Sequence, residues 1–193
     1  MGLDHFDLLA PYYERFIKPK TPQGLIDALG LPEGAPILDV GGGTGRVAQY
    51  FAENGHHVTL ADLSPKMLEQ ASSKPGITPM QALAEALPFA DGSFSAVIMV
   101  DALHHVHSQK GAVAELWRVL APGGTIVIEE PDLRRPFVKL LAVAEKLLLM
   151  RSHFLSPHAI QDLFPLPSRI SITEDGFNAW IAAHKPSPRK HIA

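Results

Sequence analysis

Pro36-Ile37-Leu38-Asp39-Val40-Gly41-Gly42-Gly43-Thr44-Gly45 runs straight from a short, mostly apolar segment into a glycine cluster. An apolar run of this length, bounded by turn residues, predicts a buried strand. Helical spacing follows from Arg46 to Asn54 and stops at Gly55. A chain passing from a buried strand into a helix must turn tightly, and glycines also let a ligand touch bare backbone. Alone this is a weak signal, because many nucleotide folds and some plain turns contain such a cluster. Asp62 strengthens it, lying 21 residues after Gly41 at the end of a second predicted strand, His57 to Ala61. An acidic side chain there can accept hydrogen bonds from both ribose hydroxyls. Together the two features predict a nucleoside-containing ligand.

Outward from this unit, strands alternate with helices. Ser64-Pro65 pairs an N-cap residue with a proline suited to the first helical position, predicting a helix to about Ser72. Further strands are predicted at Ile77–Gln81, Ala96–Val100, Thr125–Glu129, Arg169–Thr173 and Asn178–Ala183, with Pro122-Gly123-Gly124 as a turn. Lys110 to Leu120 predicts a helix with Ala112, Val113, Leu116, Trp117 and Leu120 on one face. The alternation implies βαβ units in a parallel sheet. Ligands of such sheets sit beyond the carboxyl ends of the strands, where the strand order reverses. The chemistry is therefore expected at the ends of the first, second and fourth strands.

Composition narrows the class. At 193 residues the chain predicts one domain, 1–193, and 46% hydrophobic with 19% charged residues excludes a disordered chain. The 17 basic and 20 acidic residues leave a net charge of −3, a poor balance for nucleic-acid binding. With no cysteine there is no disulfide, no thiolate nucleophile and no cysteine metal site. The stretch MGLDHFDLLAPYYERF lacks the basic region and apolar core of a signal peptide. The most apolar stretch, Pro136 to Met150, is interrupted by Lys139, Glu145 and Lys146 and falls short of the roughly 20 residues of a membrane span. A cytoplasmic location is expected.

The position of Asp39 separates candidate nucleosides. A dinucleotide site presents a helix N-terminus to a pyrophosphate, and a carboxylate inside that turn suits it poorly. It suits a ligand carrying an ammonium and a cationic sulfur. Further blocks are Asp62-Leu63-Ser64-Pro65-Lys66-Met67-Leu68, Ala84-Glu85-Ala86-Leu87-Pro88-Phe89 and Asp91-Gly92-Ser93-Phe94. Two more are Ala102-Leu103-His104-His105-Val106 and Arg118-Val119-Leu120-Ala121-Pro122-Gly123-Gly124. With these in order, the chain resembles the class I S-adenosylmethionine-dependent methyltransferases, and among them the small-molecule group typified by ubiquinone/menaquinone-biosynthesis enzymes.

The resemblance implies a single Rossmann-like, doubly wound α/β fold: a mostly parallel seven-stranded sheet with an antiparallel last strand. It implies N-terminal lid helices over 1–30, a cofactor-binding core over 35–130, a substrate-selecting helical insertion over 131–165, and the last two strands over 166–185. Gly41, Gly42, Gly43 and Gly45 would border the methionine part of S-adenosylmethionine, with Asp39 near its amino group. Asp62 would hold the ribose, Leu63 and Met67 would flank the adenine, and Ala84 and Glu85 would lie at the adenine edge. Asp101 and its neighbours would line the transfer cavity. Relatives commonly carry an aspartate where this chain has Leu83, so weaker cofactor binding is expected.

Plainer roles exist for several of these residues. Asp39 could cap the following turn, and Met67 could be core. His104, His105 and His107 cluster after the fourth strand; His105 is the candidate general base and His104 the second catalytic candidate, while one ring could instead pack under a loop. No metal site is expected from them. The remaining histidines read as surface residues. Tyr12 and Tyr13 are candidate lid residues over cofactor or substrate. The 136–150 segment is a candidate core helix, lipophilic pocket wall or homodimer face. The expected activity is methyl transfer to carbon or oxygen of a small-molecule acceptor, such as a quinone-like one, by in-line displacement. Its rivals are a non-catalytic S-adenosylmethionine-binding partner protein and a nicotinamide-dependent oxidoreductase. No nucleic-acid partner is expected.

Overall fold

Strand β1 (Pro36–Val40) sends Ile37 and Leu38 to opposite faces of a sheet, and both are fully buried. A strand buried on both faces needs a helical layer on each. The computed structural model, which describes residues 29, 31, 34–136, 138–139, 152–165, 168–174 and 177–187, supplies them. On one face α1 (Arg46–Glu53) and α2 (Pro65–Ser72) bring Val47, Ala48, Phe51 and Ala71 onto Ile37, Val58, Leu60, Ala96, Ile98 and Val127. On the other, α3 (Gln109–Val119) and the short α4 (Pro157–Gln161) cover Leu38, Val40, Val97, Met99, Ile126 and Ile128 with Val113, Leu116, Val119 and Ile160.

The other strands are β2 (His57–Asp62), β3 (Ile77–Gln81), β4 (Phe94–Val100), β5 (Leu120–Pro131), β6 (Arg169–Glu174) and β7 (Asn178–His184). They form one seven-stranded sheet in the order β3-β2-β1-β4-β5-β7-β6. The pairs β1–β2, β1–β4, β2–β3 and β4–β5 are parallel, whereas β7 runs antiparallel to both neighbours. This is the doubly wound α/β architecture expected from the sequence. The order reverses between β1 and β4, which sets the ligand crevice beyond their carboxyl ends.

Most element bounds agree with the sequence reading to within a residue or two. Ser64 caps α2 by accepting a hydrogen bond from the Met67 backbone N–H at 3.2 Å, and Pro65 opens that helix. The departures have physical causes. Strand β5 begins at Leu120, so Pro122-Gly123-Gly124 lies inside a strand and is not the turn before one. The longer β4 offers Phe94 as partner to Leu120, with a register shift before Ala96. Gly123, at φ +82°, donates its N–H to the Lys185 carbonyl at 2.8 Å, continuing the ladder to β7. Trp117 is only half-buried beneath the Lys185 ammonium, and Val119 takes the core position. Two histidines are not surface residues: His184 is half-buried against the Thr125 hydroxyl at 2.9 Å, and His56 packs edge-on to Phe51.

The candidate lid, with Tyr12 and Tyr13, lies outside the described residues, as does the 136–150 segment except for Pro136, Val138 and Lys139. Among the described residues no helix is long and apolar enough to cross a membrane.

Candidate functional site

The side-chain alternation that buries Ile37 turns Asp39 toward the same face, beneath the start of α1. Asp39 is 1% exposed, the Ala48 backbone N–H of that helix bonds to it, and its Oδ2 has no hydrogen-bond partner. Burial, reinforced by the negative charge of Asp62, pushes its carboxyl up to about 7. Two of the glycines make this arrangement sterically feasible. A Cβ on Gly42 would lie 2.8 Å from Asp39 Oδ2 and 2.7 Å from Leu60, so glycine leaves the carboxylate its space. Gly41, at φ +70°, would place a Cβ 2.5 Å from that of Ala102, so the loop after β4 closes directly onto the glycine turn. The helix-cap reading of Asp39 is thus half correct, because one hydrogen bond ties it to α1 while Oδ2 stays free.

Asp62 ends the neighbouring strand. Its Oδ2 accepts from the Gly43 N–H at 2.9 Å and its Oδ1 from the Ser64 N–H at 2.8 Å. These bonds fix the carboxylate between the glycine turn and the start of α2. Leu63 and Leu83 are the exposed large hydrophobic side chains among the described residues, at 54% and 51%. They stand just beyond the carboxyl ends of β2 and β3, and Gln81 Nε2 ties the Leu63 carbonyl at 3.0 Å. Met67 is buried, with its sulfur 3.8 Å from where a Gly43 Cβ would be, and forms floor beneath the turn. Ala84 and Glu85 sit in a tight turn closed by the Ala86 N–H on the Leu83 carbonyl at 3.1 Å. Glu85 accepts from the Ser108 N–H at 2.9 Å, so its side chain ties this turn to the start of α3.

The loop after β4 brings the histidines together. His104 is 5% exposed; its Nδ1 lies 2.5 Å from Glu130 Oε2, and its ring stacks on Phe154 at 4.2 Å. The other Glu130 oxygen accepts from the Leu103 N–H at 2.7 Å. His104 is therefore engaged in holding the loop. His105 packs on His104 at 3.9 Å and approaches the Ser152 hydroxyl at 3.3 Å. Burial, reinforced by His104, brings its imidazole down to about 3, so the ring is neutral at physiological pH. His107 is exposed. Asp101 opens this loop at φ +52°, as the one positive-φ residue other than glycine among the described residues. Burial first, then the charges of Glu129 and Glu130, raise its carboxyl to about 6. Among the described residues no cluster of three or more histidines and carboxylates could hold a metal ion.

Glu130 and Arg46 belong to the site but escape a reading of the sequence. Glu130 lies near the end of a long apolar strand, and only the fold shows what faces it. Arg46, the first residue of α1, acts electrostatically on both Asp39 and Asp101. Its place directly after the glycine cluster was the available signal.

The donor set suits a zwitterionic nucleoside: a free buried carboxylate oxygen under a glycine turn, an acidic side chain ending the next strand, and two exposed leucines beside it. Residues 38–128, which carry most of this site, match the methyltransferase domain family. The relatives this chain matches in sequence include quinone-biosynthesis methyltransferases. It is 40% identical over 107 residues to a demethylmenaquinone methyltransferase of Renibacterium salmoninarum, covering 55% of this chain and 45% of that one. It is 34% identical over 130 residues to a ubiquinone/menaquinone biosynthesis C-methyltransferase of Klebsiella pneumoniae, covering 62% and 51%. The chain thus spans about half the length of the curated relatives it matches. Among solved structures, a chain from the complex of the Haloferax volcanii Trm112 methyltransferase activator superposes with a TM-score of 0.79 at 16% identity, over 96% of this chain and 100% of that one. A methyltransferase from Aquifex aeolicus superposes at 0.69 and 18% identity, over 95% and 99%. At those identities the likeness is one of fold.

Proposed function

We propose that the protein transfers a methyl group from S-adenosylmethionine to a small-molecule acceptor of quinol type. The observation that carries this reading is the unpartnered Oδ2 of buried Asp39 beneath Gly42. Once deprotonated it is an anionic acceptor at the place where the methionine ammonium would lie. Asp62 would take the ribose hydroxyls, with Leu63 and Leu83 beside the base, Met67 beneath, and the backbone of Gly41, Gly43 and Gly45 along the methionine. The cofactor brings a methyl already activated as a sulfonium. What remains for the protein is to align the acceptor and exclude water, which can supply on the order of 7–11 kcal/mol. The relatives named for demethylmenaquinone and ubiquinone/menaquinone support a quinol-like acceptor. The 136–150 segment is the candidate pocket wall or dimer face on sequence grounds.

Calorimetric titration with S-adenosylmethionine and S-adenosylhomocysteine, with NAD as control, tests the reading. Micromolar binding of both sulfur nucleosides, loss of it in Asp62→Ala and silence with NAD are expected. Absence of binding by the wild-type chain would overturn it. Binding without turnover of any acceptor would favour the non-catalytic partner protein.

A further inference from the structure

We propose that Asp101 is the proton acceptor for the methyl acceptor, and hence that the acceptor presents an acidic hydroxyl, as a phenol or hydroquinol does. The inference rests on the methyltransferase reading and deepens it. Asp101 stands at the carboxyl end of β4, at the reversal of strand order, and the next residue packs against the glycine turn. Its left-handed φ of +52° is an uncommon state for a residue with a side chain, and such states persist only where the surroundings over-determine them.

The surroundings here do so. The Asp101 N–H donates to the Glu129 carbonyl at 2.9 Å. Two residues on, Glu130 grips the Leu103 N–H and His104 together, and the His153 N–H closes on the His104 carbonyl at 2.7 Å. The loop is clamped on both sides of Asp101. Among the described residues its own carboxylate accepts no hydrogen bond, whereas Glu130, Glu85 and Asp62 are all engaged. The charges that reach it are Glu129 and Glu130 from β5, His104 from its own loop and Arg46 from α1. The carboxylates hold its proton affinity up, so that it takes a proton near neutrality, while Arg46 and His104 moderate the effect. Burial and His104 bring His105 down to about 3, which leaves it a weaker base than Asp101.

In the transfer step the acceptor hydroxyl gives its proton to the Asp101 carboxylate. The electron pair thus released forms the new bond to the donor methyl, and the pair of the broken carbon–sulfur bond stays on sulfur. Where the new bond forms at a ring carbon, the hydrogen on that carbon leaves as a proton to water. No oxidant or reductant is consumed.

Asparagine and glycine both tolerate the left-handed conformation, so Asp101→Asn and Asp101→Gly remove the carboxylate without forcing the backbone. The assay is S-adenosylhomocysteine release with anaerobic 1,4-naphthohydroquinone as hydroxyl probe and phenethylamine as amine probe, alongside calorimetry with S-adenosylmethionine. Expected is turnover of the hydroquinol by the wild type, with kcat/KM rising through about pH 6. Both variants should fall at least about 100-fold in kcat/KM and lose that rise, with cofactor Kd changed less than about threefold and Tm unchanged or higher in the glycine variant. A purely structural Asp101 would leave both variants active with the pH profile intact, which overturns the proposal. Cofactor binding with turnover of the amine alone, or of neither probe, also overturns it. No cofactor binding overturns the underlying reading as well, so the two failures are distinguishable.

Discussion

Asp39 is costly to the empty protein, and on the proposed reading it meets the cofactor's ammonium in the loaded one. Its carboxyl binds a proton up to about pH 7 in the folded chain, against 3.8 when unfolded. The folded state therefore holds the extra proton between these values, and stability falls as pH rises through that window. Above about 7 the loss is complete. Asp39→Asn should thus match the wild type in Tm near pH 4 and exceed it increasingly toward pH 8, by an amount on the order of a few kcal/mol. The same variant should lose cofactor binding, and wild-type affinity should rise with pH through about 7 as the carboxylate becomes free to meet an ammonium. Thermal melts across pH with parallel calorimetry check both; a variant that binds normally would remove Asp39 from the site. Leu83 offers a gain at the same scale. It is 51% exposed, so Leu83→Asp needs no repacking, and one new hydrogen bond of about 1 kcal/mol should tighten cofactor binding about fivefold.

At the level of elements, a staple of side chains holds the loop between β3 and β4. Arg118 of α3 donates to the Leu87 and Phe89 carbonyls at 2.9 and 2.7 Å and to Glu115, which itself accepts from the Leu87 N–H. The Arg118 hydrogen bonds hold the Glu115 carboxyl below its ordinary range. Its contribution is therefore present above the usual carboxylate range and lost as pH falls below it. Arg118→Ala leaves two carbonyls without this donor and should cost about 1–3 kcal/mol in chemical denaturation. The loop between β4 and α3 depends on Glu130 in the same way. Removing it strands His104 and the Leu103 N–H in a buried place, so Glu130→Ala should cost roughly 3–5 kcal/mol, the larger of the two losses.

These contacts also explain what the sequence could disclose. Spacing revealed the strand–glycine–helix unit, Asp62 and the cap at Ser64, because each is set by neighbours in the chain. Arg118 and Glu85 stood inside recognisable blocks, but their partners lie 31 and 23 residues away, so their work was invisible. Pro122-Gly123-Gly124 read as a turn because its bend is local, while the partners that keep it in β5 come from Phe94 and Lys185. The His104–Glu130 pair likewise joins the loop after β4 to β5, and only the sheet order brings the two to 2.5 Å.

Across the whole molecule, burial and function divide along different axes. Strands β1, β4 and β5 lie at the centre with helices on both faces, whereas β3 and β6 are edges with no fully buried residue. The proposed ligand crevice instead runs along one end of the sheet, through residues 41–45, 62–64 and 101–105. Amide exchange should therefore be slowest in β1, β4 and β5, which open only with the global fold, and fastest at the two edges. Saturation with S-adenosylhomocysteine at about 100 times its Kd adds about 2.7 kcal/mol to global stability and slows the central strands accordingly. Local protection should concentrate in 41–45 and 62–64, because exchange there proceeds by openings that break the Asp62 clamp on Gly43 and Ser64. The 101–105 loop, already held by Glu130, should change less, and β6 should change least because its openings leave the crevice intact. Peptide-resolved exchange with and without S-adenosylhomocysteine measures this pattern. Protection centred on β6 and β7 would place the ligand at the wrong edge and refute the assignment of the crevice to the β1–β4 reversal.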